Sequence, residues 1–210
     1  MHSAAAMQAM APDRQEDAAD ATDDRVRAHT YSLLGAVLAA SPGTDLLALL
    51  AGVDPAPQAS GDFAAAWRQL AIAAARADAG EVAQEYQDLF IGVGRGEVIP
   101  YGSWYMTGFL LDRPLALLRA DLTALGFERQ PQVKEPEDHA AALCETMAIL
   151  IAEERALDAQ RRFFHAHMSP WMGTFFRDLG DARAAAFYRA VAQFGGQFIA
   201  FEDGYLTMLA

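Results

Sequence analysis

Along most of the chain, apolar residues recur at three- and four-residue spacing and not in alternation, which predicts amphipathic helices and almost no strand. From Arg25 to Ala40, Tyr31, Leu34 and Leu38 share one helical face, and Ser41-Pro42-Gly43 ends the run. A short helix is expected from Asp45 to Ala51, followed by a loop from Gly52 to Gly61 with two prolines. Asp62 then reads as the cap of a helix carrying Phe63, Trp67, Leu70 and Ala74, which Gly80 closes. Glu81 to Phe90 is again helical, with Val82, Tyr86, Leu89 and Phe90 inward.

The stretch IGVGRGEVIPYGS breaks this pattern with four glycines and a proline, and reads as a shaped loop. Past Tyr105 to Leu111, Asp112 and Pro114 mark a helix start, with Leu115, Leu118, Leu122 and Leu125 on its apolar side and Gly126 at its end. Pro136 opens the next helix, in which Leu143, Met147, Leu150 and Leu157 share a face while Glu145, Glu153 and Glu154 point elsewhere. Pro170 and Gly173 predict a break between Met168 and Thr174, and the last long helix starts near Asp181, carrying Phe187, Val191, Phe194 and Phe198. The expected fold is therefore all-α: one compact helical bundle of about nine to eleven helices, short ones included. It spans residues 25–210, behind a flexible acidic tail at residues 1–24.

Composition narrows the function. With 210 residues, 53% of them hydrophobic, the chain is long enough for one sizeable core. Its apolar runs are too short to span a membrane, and its first residues lack the basic region of a secretory signal or transit peptide. Cys144, the only cysteine, precludes an internal disulfide and fits the cytoplasm. A net charge of −12 argues against nucleic acid, which needs concentrated Lys and Arg, and suits a cationic peptide.

Catalytic chemistry finds little support. The run Gly92-Val93-Gly94-Arg95-Gly96 lacks the preceding strand and the full motif of a phosphate cradle. Glu135, Asp138, His139, His165 and His167 could be gathered as metal ligands only across separate segments, without an HExxH or paired EExxH pattern. In EPEDH, Pro136 suits a first helical turn, and Glu137 and Asp138 complement the positive helix end. The remaining feature is aromatic: Pro100, Tyr101, Trp104 and Tyr105 cluster beside glycines and the helix ending in Leu89-Phe90, a surface suited to a peptide.

The succession EYQDLFIGVGRGEVIPYGSWY, then EPEDH, then FFHAHMSPW, resembles the TorD/DmsD-type redox-enzyme maturation chaperones from roughly Arg25 to the C-terminus. The resemblance implies binding without catalysis. Such proteins hold the twin-arginine leader and apo-catalytic subunit of a molybdopterin-dependent enzyme, delaying export until the cofactor is inserted. It places leader binding on Tyr31, Leu89, Phe90, Pro100, Tyr101, Gly102, Ser103, Trp104, Asp138 and His139, with Asp138 forming a bidentate pair to a leader arginine. It implies no cofactor, although guanine nucleotide is a ligand of some relatives, and it allows a monomer or a swapped dimer hinged between Gly126 and Pro136. Three other readings stand beside it. These are a nitrate-reductase-assembly chaperone for a subunit that is not exported, a helical metal-dependent hydrolase using Glu135, Asp138, His139 and His165, and a helical scaffold without a client.

Overall fold

The computed structural model describes residues 14–53, 61–92, 95–130 and 132–208, and among these there are ten α-helices and no strand. The helices are α1 (Arg14–Ala39), α2 (Thr44–Gly52), α3 (Asp62–Arg76), α4 (Ala79–Tyr86), α5 (Gly102–Thr107), α6 (Arg113–Ala124), α7 (Ala140–Ala152), α8 (Leu157–His167), α9 (Met172–Asp181) and α10 (Phe187–Met208). A π-helical turn, Gln87–Ile91, continues α4. The all-α expectation holds. Helix α1 begins at Arg14, inside the segment read as a tail, and residues 1–13 lie outside the described residues.

Several boundaries differ from the sequence reading, each for a local reason. Gly61, at φ 97°, precedes α3, so Asp62 is its first residue and not its cap. The break before α4 falls at Ala77-Asp78. There the Asp78 carboxylate accepts the backbone N–H groups of Gly80 and Glu81, which leaves Gly80 inside a helix it was expected to end. Pro136 lies in a turn ahead of α7, whose cap is His139. Leu157 opens α8 after a turn in which Glu154 adopts φ 53°. Gly173 is helical, within the additional helix α9.

Helix α1 lies along α7, while α10 packs on α3 and α9. Close approach relies on small residues. A Cβ at Gly195 of α10 would stand 2.2 Å from the Phe176 ring, so only glycine admits that ring. The aromatic core runs on through Phe198, whose ring centroid is 4.7 Å from that of Tyr31, and Phe194, 4.4 Å from Trp67.

Two buried carboxylates organise this packing. Glu85 of α4 accepts the backbone N–H groups of Ala186, Phe187 and Tyr188 at 2.8, 3.0 and 2.7 Å, capping α10 from a remote part of the chain. Glu202 of α10, fully buried, receives Arg27 through two parallel bonds at 2.7 and 2.9 Å and the Tyr31 hydroxyl at 3.1 Å. Burial opposes the Arg27 charge, but the bond and field of Glu202 outweigh it and hold the guanidinium above its usual pKa. Asp24 and the Tyr205 ring complete the Arg27 environment.

Removing one member of such a pair leaves the other charge buried and alone. Glu202→Ala is expected to lower unfolding stability by about 3–5 kcal/mol, whereas Arg161→Ala, at the partly exposed pair with Asp158, should change it by less than about 1 kcal/mol. Equilibrium urea unfolding of the two variants measures the difference, and similar losses in both would refute it.

Candidate functional site

The two segments singled out by sequence, Pro100 to Ser103 and Pro136 to His139, are joined in space. Tyr101 and His139 form an isolated antiparallel bridge. The Ala140 N–H donates to the Pro100 carbonyl and the Gly102 N–H to the Asp138 carbonyl, both at 2.9 Å. Next to this bridge, the Ser103 N–H donates to Asp138 Oδ2 at 2.8 Å. The start of α5 is thus pinned to the turn that starts α7. Both helices leave from one hydrogen-bonded frame.

Below the frame lies Trp171. Its indole N–H donates to the His167 carbonyl at 2.7 Å, and a Cβ on Gly102 would come within 3.1 Å of Nε1. Glycine at 102 therefore lets α5 rest directly on the indole, with Tyr105 stacked against it at 5.4 Å between centroids. The preceding loop is similarly tight: a Cβ at Gly96 would stand 2.4 Å from the Leu89 carbonyl oxygen, and Gly92 turns at φ 61°. These two glycines of the run serve close backbone packing; Val93 and Gly94 lie outside the described residues.

The π-helical turn feeding this loop carries Leu89 and Phe90. Its wider winding closes with the Gly92 N–H on the Gln87 carbonyl at 2.7 Å, placing Leu89 fully in the core and Phe90 half-buried against Tyr86 and Tyr188. Tyr31 is also fully buried, with contacts to Glu202 and Phe198. Pro100, Gly102 and Ser103 are buried in the frame itself.

Asp138 is 3% exposed. It is not the surface carboxylate that pairing with a leader arginine requires; it sets the first turn of α5 through Ser103. Its Oδ1 and the Ser103 Oγ are buried without a hydrogen-bond partner among the described residues. Glu137, read as complementing the helix end, instead meets Arg119 at 2.9 Å and Arg129 at 3.4 Å, tying the Gly126–Pro136 connection to α6.

What the frame presents outward is Tyr101 and Trp104, both half-exposed and one helical turn apart. The Tyr101 hydroxyl donates to Glu135, an exposed carboxylate, and burial together with that bond raises its pKa. Arg95 lies over the Trp104 ring, 5.0 Å from its centroid. Sequence reasoning missed this role of Arg95, as well as the apolar surface on the connection to α6, where Phe109, Leu110 and Leu111 are 70, 50 and 67% exposed. The available signal was FLL between Gly108 and Asp112, an unbroken apolar run with no helical spacing.

The residues considered as metal ligands are dispersed. His165 faces Asp203 at 3.5 Å, His167 meets Asp121 at 2.7 Å, and His139 caps α7. Among the described residues no three His, Cys, Asp or Glu side chains are grouped as a metal site requires. Burial pushes the Cys144 thiol up, away from the thiolate form a nucleophile needs.

His139 accepts the Ala141 N–H at Nδ1, 3.1 Å away, which requires the neutral ring. Burial lowers its pKa below the ordinary 6.5, against the opposing pull of Glu135 and Asp138. The stability gained is therefore present above the unfolded-state value and is lost as the pH falls through the folded one. Melting temperature should drop more steeply for the native chain than for His139→Asn between pH 7 and pH 5, since asparagine caps without titrating; parallel melting curves would contradict this.

The family model described as nitrate reductase delta subunit matches residues 56–177, more than half of the chain and all of the frame. The chain is 30% identical over 130 residues to the chaperone protein TorD of Vibrio cholerae serotype O1, covering 57% of this chain and 59% of that protein. It is 25% identical over 139 residues to TorD of Vibrio vulnificus, covering 60% and 65%. The matched part is thus less than two thirds of these relatives' length. A solved structure described as a redox enzyme maturation protein of Archaeoglobus fulgidus shares the fold, with a TM-score of 0.55 at 18% identity over 83% of this chain and 93% of that one. The chain belongs to the TorD/DmsD family of redox-enzyme maturation chaperones, which the nitrate reductase delta subunit model covers.

Proposed function

We propose that this protein is a cytoplasmic chaperone that holds the twin-arginine leader and apo-catalytic subunit of a molybdopterin-dependent oxidoreductase, delaying export until the cofactor is inserted. The observation that carries this reading is the hydrogen-bonded frame on which Tyr101 and Trp104 are half-exposed beside the exposed Glu135. Aromatic side chains held by a hydrogen-bonded scaffold bury apolar area at small entropic cost, and a carboxylate beside them selects a guanidinium through paired bonds. Arg95 over Trp104 illustrates that the indole offers a face to such a cation.

The work divides among the residues of the frame. Tyr101, Trp104 and the adjoining Phe109 to Leu111 receive the apolar stretch of the leader, while Glu135 meets its arginines. Asp138, His139, Gly102, Ser103 and Pro100 hold the frame in shape, and Leu89, Phe90 and Tyr31 support it from the core. No covalent step is needed; binding and release suffice.

The description of the matching family model, nitrate reductase delta subunit, favours a second reading in which the client is a molybdoenzyme subunit that is not exported. Capture from the native cell with this chain as bait separates the two, because a captured subunit bearing a twin-arginine leader supports the first and a leaderless one the second.

Calorimetric titration of the full chain with a leader peptide containing Ser-Arg-Arg-x-Phe-Leu tests the site. Tyr101→Ala and Trp104→Ala are each expected to weaken binding by about tenfold or more, with melting temperatures kept within a few degrees. Glu135→Gln should weaken the Arg-Arg peptide more than its Lys-Lys counterpart. Equal affinity for the leader and a scrambled sequence would defeat the proposal.

A further inference from the structure

Away from the frame, the exposed face of α7 forms the floor of a trough. A groove of about 860 Å³ lies between α1 and α7, over Ala28, Ala36, Ala148 and Ile151. A second, of about 470 Å³, lies between α6, α7 and the segment after Gly126, walled by Leu122, Phe127 and Val133. Glu145 and Ile149 line both, so the two grooves adjoin along one helical turn of α7. Ile149 is 42% exposed on a helix otherwise rich in buried residues, and Val133 is 47% exposed. The far end of the second groove reaches Glu135, the acid bonded to Tyr101, so the trough runs on into the proposed leader site.

The charges along the trough are unevenly committed. Arg119 and Arg129 are both engaged by Glu137, and Asp24 by Arg27. Glu128, Glu145 and Glu154, all exposed, have no ion pair or hydrogen bond among the described residues; the cations without an ion pair there are Arg25 and, beside Glu135, Lys134, and His29 also lines the first groove. The surplus is negative, in a chain whose net charge is already −12. Alanines on the floor admit a helix backbone closely, and a groove between two helices is the setting in which a third lays down an apolar face.

We propose that this trough binds a basic amphipathic helix of the client polypeptide, its Leu or Val face on Ile149 and the alanine floor and its Lys or Arg edge toward Glu145, Glu154 and Glu128. The proposal rests on the reading that the protein holds a polypeptide client, and it adds a second contact, distinct from Tyr101 and Trp104. An acidic trough of this kind repels an anionic membrane surface and selects against acidic helices.

The probe is a fluorescently labelled helix of about sixteen residues, roughly 24 Å long, built of Leu, Ala and Lys and lacking any arginine pair, with a counterpart in which Glu replaces every Lys. In anisotropy titrations of the full chain the Lys helix binds, more weakly as salt is raised, and the Glu helix does not. Ile149→Lys and Glu145→Lys each reduce its affinity about tenfold or more, while Trp104→Ala, at a residue that lines neither groove, leaves it unchanged. Both positions are exposed, and if Ile149→Lys disturbs folding, Glu145→Lys decides the matter. Absence of binding by the Lys helix, equal binding by the Glu helix, or indifference to both substitutions overturns the trough. Failure of the leader titration with the Lys helix still binding overturns the leader site instead, so the two readings fail separately.

Discussion

The carboxylate of Glu202 is the constraint on which the rest of the molecule leans. It stands fully buried near the end of the last helix and is matched there by Arg27 and Tyr31 of the first. That match fixes α1 against α10. Helix α1 in turn lies along α7, and α7 begins at His139, the residue bridged to Tyr101. The orientation of the outward aromatics is therefore traceable, contact by contact, to an ion pair at the opposite ends of the sequence. A buried pair of this kind contributes little net stability compared with a well-packed apolar core, but a mismatch is heavily penalised. Its effect here is to make one arrangement of α1 and α10 far better than any neighbouring one.

How much of this was legible in the sequence follows from the range of the forces involved. The apolar faces of α1, α6 and α7 could be read because each helix buries a local stripe; Leu34, Leu38, Leu115, Leu118, Leu143 and Met147 are all in the core. Asp112 could be read as a cap because its partner is the next residue, Arg113. The start of α10 could not, because its capping acid is Glu85, on another helix. Gly80 misled for the same reason in reverse: Asp78, two residues earlier, supplied the acceptor that keeps a glycine helical. Distant partners leave no periodic trace.

The site shows the same division. Proximity of the Pro100 and Pro136 segments was signalled only by resemblance, since nothing in the spacing of PYGS and EPEDH requires a bridge between them. Burial of Asp138 was equally invisible. An acid in a proline-rich turn reads as a surface group, and only the approach of the Ser103 N–H accounts for a carboxylate at 3% exposure. Once buried, it shapes the first turn of α5 through Ser103. The exposed acid is instead Glu135, three residues earlier, which accepts the Tyr101 hydroxyl and on the proposed function meets the client's arginines.

Such a separation of roles has a physical advantage. If the carboxylate that positions α5 also met the client's cation, every binding event would compete with the frame's own hydrogen bonds, and affinity would be gained by loosening the surface that supplies it. Asp138 is bonded through Oδ2 to the Ser103 N–H and Glu137 is paired with Arg119 and Arg129, so both acids are already engaged within the fold. The surface acids Glu128, Glu145 and Glu154 make no ion pair or hydrogen bond among the described residues. On the proposed function, a cationic client meets these acids without breaking a bond that holds the frame, so binding and release leave the frame's shape alone.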